Sequence, residues 1–428
     1  MDPRRVFLAV VVHLAVVCGL HAQETERRLL LAGANVLDRE GERVLSGRDV
    51  LIHGDRIAAI DPAGGITVSE GTRRVELNGL TIIPGLMDLH SHLLLHPYNE
   101  TSWHDQVLKE SLELRTIRGV VAARATLEAG FTTLRDLGTE GAGFADVALR
   151  DAIEHGTIPG PRVITSTRAL VATGCYGPSG FDPRWDVPKG AQVADGVAGV
   201  RRAVREQIAA GADWIKVYAD YRRRPGDPPT PTYSQAELEA IVDEARSAGL
   251  RVAAHAVTDE AIARCVMAGV ATIEHGTLAS KQVFSMMRDR DVVLCPTLAA
   301  SEAIARYQGW KPGAPDHQRL KDAKAMFARA LESGVTIACG SDVGVFAHGH
   351  NARELELMVE YGLTASQALR AATITAAKVI GRATDLGRVD KGYIADLIAV
   401  EGNPLDDITA LRQPVVVIKD GRVVVDRR

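Results

Sequence analysis

The chain has 428 residues, 46% of them apolar and 24% charged, with a formal net charge of −4. That is enough chain for one large barrel and a smaller companion domain, and too much apolar content for disorder. It also offers no basic face to neutralise phosphates, because Arg201, Arg202 and Arg205 recur at helical spacing among acids and apolar positions, so no nucleic-acid partner is expected.

In chain order, residues 1–22 read as an export signal peptide. Arg4 and Arg5 precede the apolar run Val6 to Leu20, and His21-Ala22 follows before the polar Gln23. The core of that run is short for a membrane span. The expectation is therefore cleavage, no stable membrane insertion afterwards, and a secreted or periplasmic location. Cys175, Cys265, Cys295 and Cys339 lie beyond the signal without paired CxxC spacing, which argues against zinc-finger and thioredoxin chemistry. The last three sit in apolar runs and read as core residues.

From Arg28 to Ile83 short strand-like runs alternate with glycine and charged turns. Val50 to Ile60 and Val75 to Ile83 read as hairpins. The tail repeats the style at Ala395 to Val400 and at Val415 to Val425, where Asp420-Gly421 forms a two-residue turn. Neither end alone can bury a core, so residues 23–83 and 385–428 are expected to build one β-sandwich domain together. Between them, residues 84–384 alternate apolar strand runs with amphipathic helices. The runs are Ile82 to His90, Thr132 to Leu137, Arg162 to Ser166, Trp214 to Tyr218, Arg251 to His255, Ala271 to His275, Val292 to Pro296 and Thr336 to Gly340. Eight such runs point to an α/β chain with a (β/α)₈ TIM barrel. The helix from Ser234 to Ala248 has the acids early, Arg246 late and Gly249 as its stop.

Active sites of such barrels lie where the strands end. His90 and His92 are two apart and so share the inward face of the first strand, where two imidazoles can grip one ion. His255 and His275 end later strands and can serve a second ion, and Asp342 adds an oxygen ligand after Gly340-Ser341. Lys216 lies between Ile215 and Val217, and burying an amine there is costly unless its charge is removed or paired. Reaction with carbon dioxide would turn it into a carbamate able to bridge two cations.

With these residues the chain resembles the amidohydrolase superfamily, and within it the imidazolonepropionase-like branch of exported prolidase-type dipeptidases that includes ochratoxin-hydrolysing amidohydrolases. The resemblance rests on Pro84-Gly-Leu-Met-Asp-Leu-His-Ser-His92, Gly130-Phe-Thr-Thr-Leu-Arg-Asp-Leu-Gly138, Trp214-Ile-Lys-Val-Tyr218, Val252-Ala-Ala-His255, Ile273-Glu-His275, Gly340-Ser-Asp342 and Gly387-Arg-Val-Asp-Lys-Gly-Tyr-Ile-Ala-Asp396. It implies two divalent ions, zinc by default. His90, His92 and Asp342 would hold the more buried ion and His255 and His275 the other, with N6-carboxylated Lys216 and a hydroxide shared between them. Asp342 would relay the proton from the attacking hydroxide to the departing amine. The implied activity is hydrolysis of the amide of a dipeptide or N-acyl amino acid, prolidase- or carboxypeptidase-like, by a homo-oligomer.

Tyr218 shares the inward face of Lys216 and is a candidate donor to the scissile carbonyl or a substrate carboxylate, against a barrel-core role. His348 falls in a His-Gly-x-Asn run that related enzymes also carry, and is a catalytic or substrate-binding candidate. His350 follows it. His96, Tyr98, Trp103 and His104 after the first strand are further pocket candidates. Tyr176 lies in a long Gly/Pro loop that can cover the mouth, and many relatives have Gly-His where this chain has Cys175-Tyr176. Arg135 and Asp136 read as a structural ion pair. Competing readings are a cyclic-amide hydrolase, deaminase or lactonase of the same superfamily, and a non-catalytic periplasmic binding module. Thr258, where a deaminase-type HxxE arrangement needs an acid three places after His255, argues against the deaminase.

Overall fold

A computed structural model describes residues 28–182, 184–224 and 226–428. The expected export signal lies outside the described residues.

Strands from both ends of the chain form one eight-stranded sheet. Arg28–Leu37 pairs antiparallel with Val44–His53, which turns at Gly54-Asp55 into Arg56–Pro62. The C-terminal strand Leu397–Glu401 pairs antiparallel with Leu80–Pro84 and, on its other side, with Val416–Lys419, which turns back into Arg422–Asp426. One expected hairpin is different. Arg73–Glu76 and Leu80–Pro84 do not pair with each other; both run parallel to Arg28–Leu37, at successive registers. The chain between them bulges at Gly79 (φ 83°), where Leu80 N–H bonds back to the Leu77 carbonyl at 3.0 Å. The turn continues the strand instead of reversing it.

The expected run Ile82 to His90 is also two strands. Leu80–Pro84 belongs to the end-derived sheet and Leu86–Ser91 to the barrel. They part at Gly85, where a Cβ would stand 2.2 Å from Thr132 Oγ1. Only glycine lets the chain pass so close to the neighbouring strand.

Leu86–Ser91, Phe131–Asp136 and Arg162–Thr165 are parallel neighbours, and so are Trp214–Tyr218, Arg251–Ala256, Thr272–His275 and Val293–Cys295. The arc closes on one side where Asp213 N–H bonds to the Thr165 carbonyl at 2.8 Å. On the other side, the expected eighth strand is reduced to isolated bridges, Leu294 to Ile337 and Ser91 to Val343. Its backbone bonds are spread over three elements. Ala338 N–H goes to Leu294, Cys339 N–H to Ala371, and the Cys339 carbonyl receives Leu89 N–H, so no regular ladder forms. Helices cover the outside. Gln235–Ser247 starts on a full capping box, Ser234 with Glu237, and stops before Gly249 (φ 75°) as the sequence pattern requires. Cys265, Cys295 and Cys339 are free and buried as expected, and Cys175 is also free and buried.

Candidate metal centre

Six side chains from five separate stretches of the chain meet inside the C-terminal mouth of this barrel. The end of strand Leu86–Ser91 supplies His90 and His92, and the chain beyond Gly340 is locked against it. Asp342 N–H bonds to the His90 carbonyl at 2.7 Å and His92 N–H to the Val343 carbonyl at 2.8 Å. Buried Asp88 accepts from Ser341 N–H at 2.9 Å, from the Ser341 hydroxyl and from Asn351 at 2.8 Å. Asp342 Oδ1 thereby comes to 3.3 Å from His92 Nε2 and 3.7 Å from His90 Nε2. His275 is near enough that one ligand atom each from His90, His275 and Asp342 lies within 4.8 Å of the others. The His255 ring centroid is 4.5 Å from that of His275. Both Asp342 (φ 62°) and His275 (φ 74°) are in the left-handed region, as are Thr297 (φ 53°) and Glu140 (φ 53°) beside them. Such conformations cost of order 1–3 kcal/mol each and cluster at functional sites.

Three of the four imidazoles are hydrogen-bonded from behind. His90 Nδ1–H donates to Glu274 Oε2 at 2.8 Å and His92 Nδ1–H to the Gly138 carbonyl at 2.9 Å, while His275 Nδ1 pairs with Thr297 Oγ1 at 2.7 Å. Buried Asp220 stands 3.8 Å from His255 Nε2 and is itself held by Val257 and Thr258. Glu274 also accepts from Arg135 at 3.0 Å, and the Arg135 guanidinium lies 4.4 Å over the Trp214 ring. The expected Arg135–Asp136 pair is therefore not formed. The neighbours on a strand face opposite ways. Asp136 instead accepts Leu93 N–H at 2.7 Å, and burial, with the nearby Asp146 charge, raises its pKa to about 8.

The electrostatics fit a cation. Burial, then the charge of Lys216, holds His90 well below its ordinary pKa. Burial, then His275, does the same to His255, and burial lowers His275 to about 4. Neutral imidazole is the metal-binding form. His92 differs: burial opposes its charge, but the Asp342 hydrogen bond and the Glu140 and Asp342 charges outweigh this and raise it to about 9. With both Nδ1 protons committed to the rear, two Nε2 lone pairs face one carboxylate oxygen. That arrangement needs a positive charge, supplied by a proton on His92 or by a divalent ion. Lys216 is fully buried, its Nζ has no hydrogen-bond partner among the described residues and lies 5.4 Å from the Tyr218 ring centroid, and burial lowers its pKa. An orphaned buried amine among imidazoles and a carboxylate calls for a physical account, since buried polar groups are ordinarily satisfied.

The 260 Å³ cavity over these groups is lined by His90, His92, His255, His275 and Asp342, together with Tyr98, Tyr176, Tyr218, Tyr221 and Arg319. Tyr218 and Tyr176 stack at 4.0 Å between centroids, and both hydroxyls donate to Glu140, Tyr218 at 3.4 Å. Trp103 donates to the same carboxylate at 2.8 Å. Burial, then the Glu140 charge, drives both phenols well above their ordinary pKa, so they remain donors. Glu140 escaped the sequence reading although it ends the second strand's motif, in Gly138-Thr-Glu-Gly141; an acid at a barrel strand end was the available signal. Glu274, next to His275, was missed in the same way.

Other candidates stand elsewhere. His348 Nε2 lies 3.2 Å from the His92 carbonyl and Nδ1 3.3 Å from Thr126, so its ring braces the first strand end and is not among the cavity-lining residues. His350 lines a separate 980 Å³ groove with Glu302 and Arg353. His96 is buried against Glu110 at 2.9 Å, outside the cavity wall. Trp103 and His104 line an outer chamber.

The model of the Amidohydrolase family matches residues 81–424. Ochratoxinase from Aspergillus niger is 32% identical over 415 residues, covering 91% of this chain and 83% of that protein. The crystal structure of a Xaa-Pro dipeptidase with methionine in its active site superposes with a TM-score of 0.83 at 32% identity, covering 93% of this chain and all of that one. A prolidase complexed with N-methylphosphonate-L-proline gives 0.82 at 34% identity, with 93% and 100% coverage. The fold and the site define a barrel hydrolase acting on amide bonds. The chain belongs to the amidohydrolase family, in its imidazolonepropionase-like branch.

Proposed function

We propose that this chain is an exported, binuclear metal-dependent amidohydrolase that cleaves the amide bond of dipeptides or N-acyl amino acids, including ochratoxin-type amides. The observation that carries the metal reading is the buried, unpartnered Lys216 amine among His90, His92, His255, His275 and Asp342. Burial lowers the pKa of that amine, which favours its neutral form, and the neutral amine can add to carbon dioxide, forming an N–C bond and releasing a proton. The resulting carbamate supplies two oxygens where the amine supplied one nitrogen. Four imidazoles, a carboxylate and a carbamate suit zinc and its neighbours. Two such ions, when bound, polarise an amide carbonyl and lower the pKa of water to about 7. Of the protein groups, Asp342 accepts the water proton at its carboxylate and returns it to the amine nitrogen. Tyr218, still protonated and lining the cavity, exchanges its long 3.4 Å bond to Glu140 for one donated to the carbonyl or to a substrate carboxylate.

Amide substrates are supported by the dipeptidase and ochratoxinase likeness, and a free carboxylate beside the scissile bond would meet Arg319. Export rests on residues 1–22 and homo-oligomeric assembly on the sequence resemblance. The separate apolar cluster of Leu31, Val36, Ile52, Leu397 and Ile418 supports treating the end-derived sheet as its own small sandwich-type unit beside barrel 84–384. The test is metal analysis with a dipeptide and N-acyl amino acid panel on one preparation. The parent protein should carry two ions per chain and load them better with bicarbonate. Lys216→Ala should lose metal and turnover together; full retention of both would refute the bridge.

A further inference from the structure

Beyond the metal cavity lies a 630 Å³ chamber that shares Tyr98, Tyr176 and Tyr221 with it, so three aromatic rings form the partition. Among the described residues no Asp or Glu lines this chamber, whereas Arg222, Arg223, Arg224 and Lys189 all do. The arginines are carried by a short hairpin in which Asp220–Tyr221 pairs antiparallel with Thr230–Pro231. It continues directly from the strand bearing Lys216 and Tyr218, so one segment runs from the floor of the site to its mouth. Arg222 lies 5.4 Å over the Tyr221 ring and Arg223 donates to the Pro231 carbonyl at 3.4 Å. None of the three makes an ion pair among the described residues, although Lys189 meets Asp186 at 3.6 Å. On the inner side, burial and then the charge of Arg222 depress the pKa of Arg319, against a smaller opposing pull from Asp322. The three arginines are exposed and line one chamber without an ion-pair partner among the described residues, so together they present positive charge to an anion that enters it.

We propose that this outer chamber is a specificity subsite for a second negative charge. The favoured substrate is then an amide with two carboxylates: one beside the scissile bond, facing Arg319, and one at the remote end, among Arg222, Arg223 and Arg224. Dipeptides with Glu or Asp at the remote position fit, as do N-acyl amino acids whose acyl chain ends in a carboxylate. Planar guanidinium forks suit a carboxylate in two-point contact. The inference rests on the amide-hydrolysing reading of the inner cavity.

The test compares kcat/KM for isosteric pairs, Glu-Xaa against Gln-Xaa and the reversed Xaa-Glu against Xaa-Gln, on the metal-loaded full chain. One acidic member should be favoured at least about tenfold, equivalent to one well-made charged contact. The preference should shrink as salt rises from about 0.05 to about 0.5 M. In the Arg222→Gln/Arg224→Gln variant the ratio should fall toward unity, and Arg224→Glu should turn it toward Lys-containing substrates. A ratio near unity in the parent, or one that survives both variants, overturns the proposal. Calorimetry with glutarate against glutaramate separates the two layers. Tighter glutarate binding, lost in the double variant, supports the subsite even if no amide is cleaved, which would sink the hydrolase reading alone. Amide cleavage with neither a charge preference nor tighter glutarate binding would sink the subsite alone.

Discussion

At the floor of the cavity His90, His92 and His275 each hydrogen-bond a second residue, whereas at the mouth the candidate binding groups lean on loops and on one another. His90 rests on Glu274, and Glu274 on Arg135 and Thr272. Tyr176 and Arg222 to Arg224 come from connections after strands. The floor is preorganised for one chemistry, and the mouth can change substrate without disturbing it. The lesson is that Cys175-Tyr176 belongs to the rim, where a substitution can alter the mouth without touching the candidate ligands at the floor.

The largest effect should come from the floor. Asp342→Asn keeps the shape but not the proton acceptor, so kcat should fall about 10³-fold, within the span of general acid–base contributions. Tyr218→Phe should cost less and leave the metal bound. If Asp342→Asn turns over within about tenfold of the parent, the proton path lies elsewhere.

Next is the layer behind the ligands. Glu274→Gln leaves Arg135 buried without a counter-charge and removes the anion that orients His90. Breaking a buried pair costs about 3–5 kcal/mol, and losing such support typically costs about 10–100-fold in metal affinity. Urea unfolding and metal titration of the same variant read the two effects. Loss of stability with unchanged affinity would make Glu274 a structural counter-ion only.

The partition offers a finer contrast. Glu140 holds Trp103, Tyr176 and Tyr218 at one carboxylate, so Tyr176→Phe frees one of its acceptor positions and loosens the rim. KM should change more than kcat, by roughly three- to tenfold, the worth of about one hydrogen bond. An equal fall in kcat would place Tyr176 in the chemistry.

How far the sequence discloses this division follows from range. His90 and His92 are legible because period two places both on one face, and Lys216, His255 and His275 because each ends or lies in a short apolar run. Which acid meets which imidazole is not legible: Glu274 reaches His90 across 184 positions. Arg135 and Asp136 illustrate the same limit, since adjacency suggested a pair that alternation along the strand forbids. In the fold, the barrel strands are readable from their apolar runs. The break at Gly85 and the parallel course of Arg73–Glu76 depend on tertiary contacts with Thr132 and with the first strand.

The smallest expected effect concerns the brace beneath the first strand end. His348, held by the His92 carbonyl and Thr126, has its pKa lowered to about 4, chiefly by burial, against an ordinary 6.5. Between those values the unfolded chain binds a proton there that the native state does not. The native state is therefore favoured above about pH 6.5 and loses this contribution as pH falls toward 4. His275 adds the same sign in metal-free protein, so the slope should be read on the apo form. His348→Gln removes the titrating group while keeping hydrogen-bonding capacity. Its urea-derived stability should therefore fall less steeply than the parent's between pH 6.5 and 4.5, by about 1–2 kcal/mol across the interval, given partial solvent screening. Identical slopes would mean that the ring exchanges protons as freely as in the unfolded chain, and that the brace is not closed in solution.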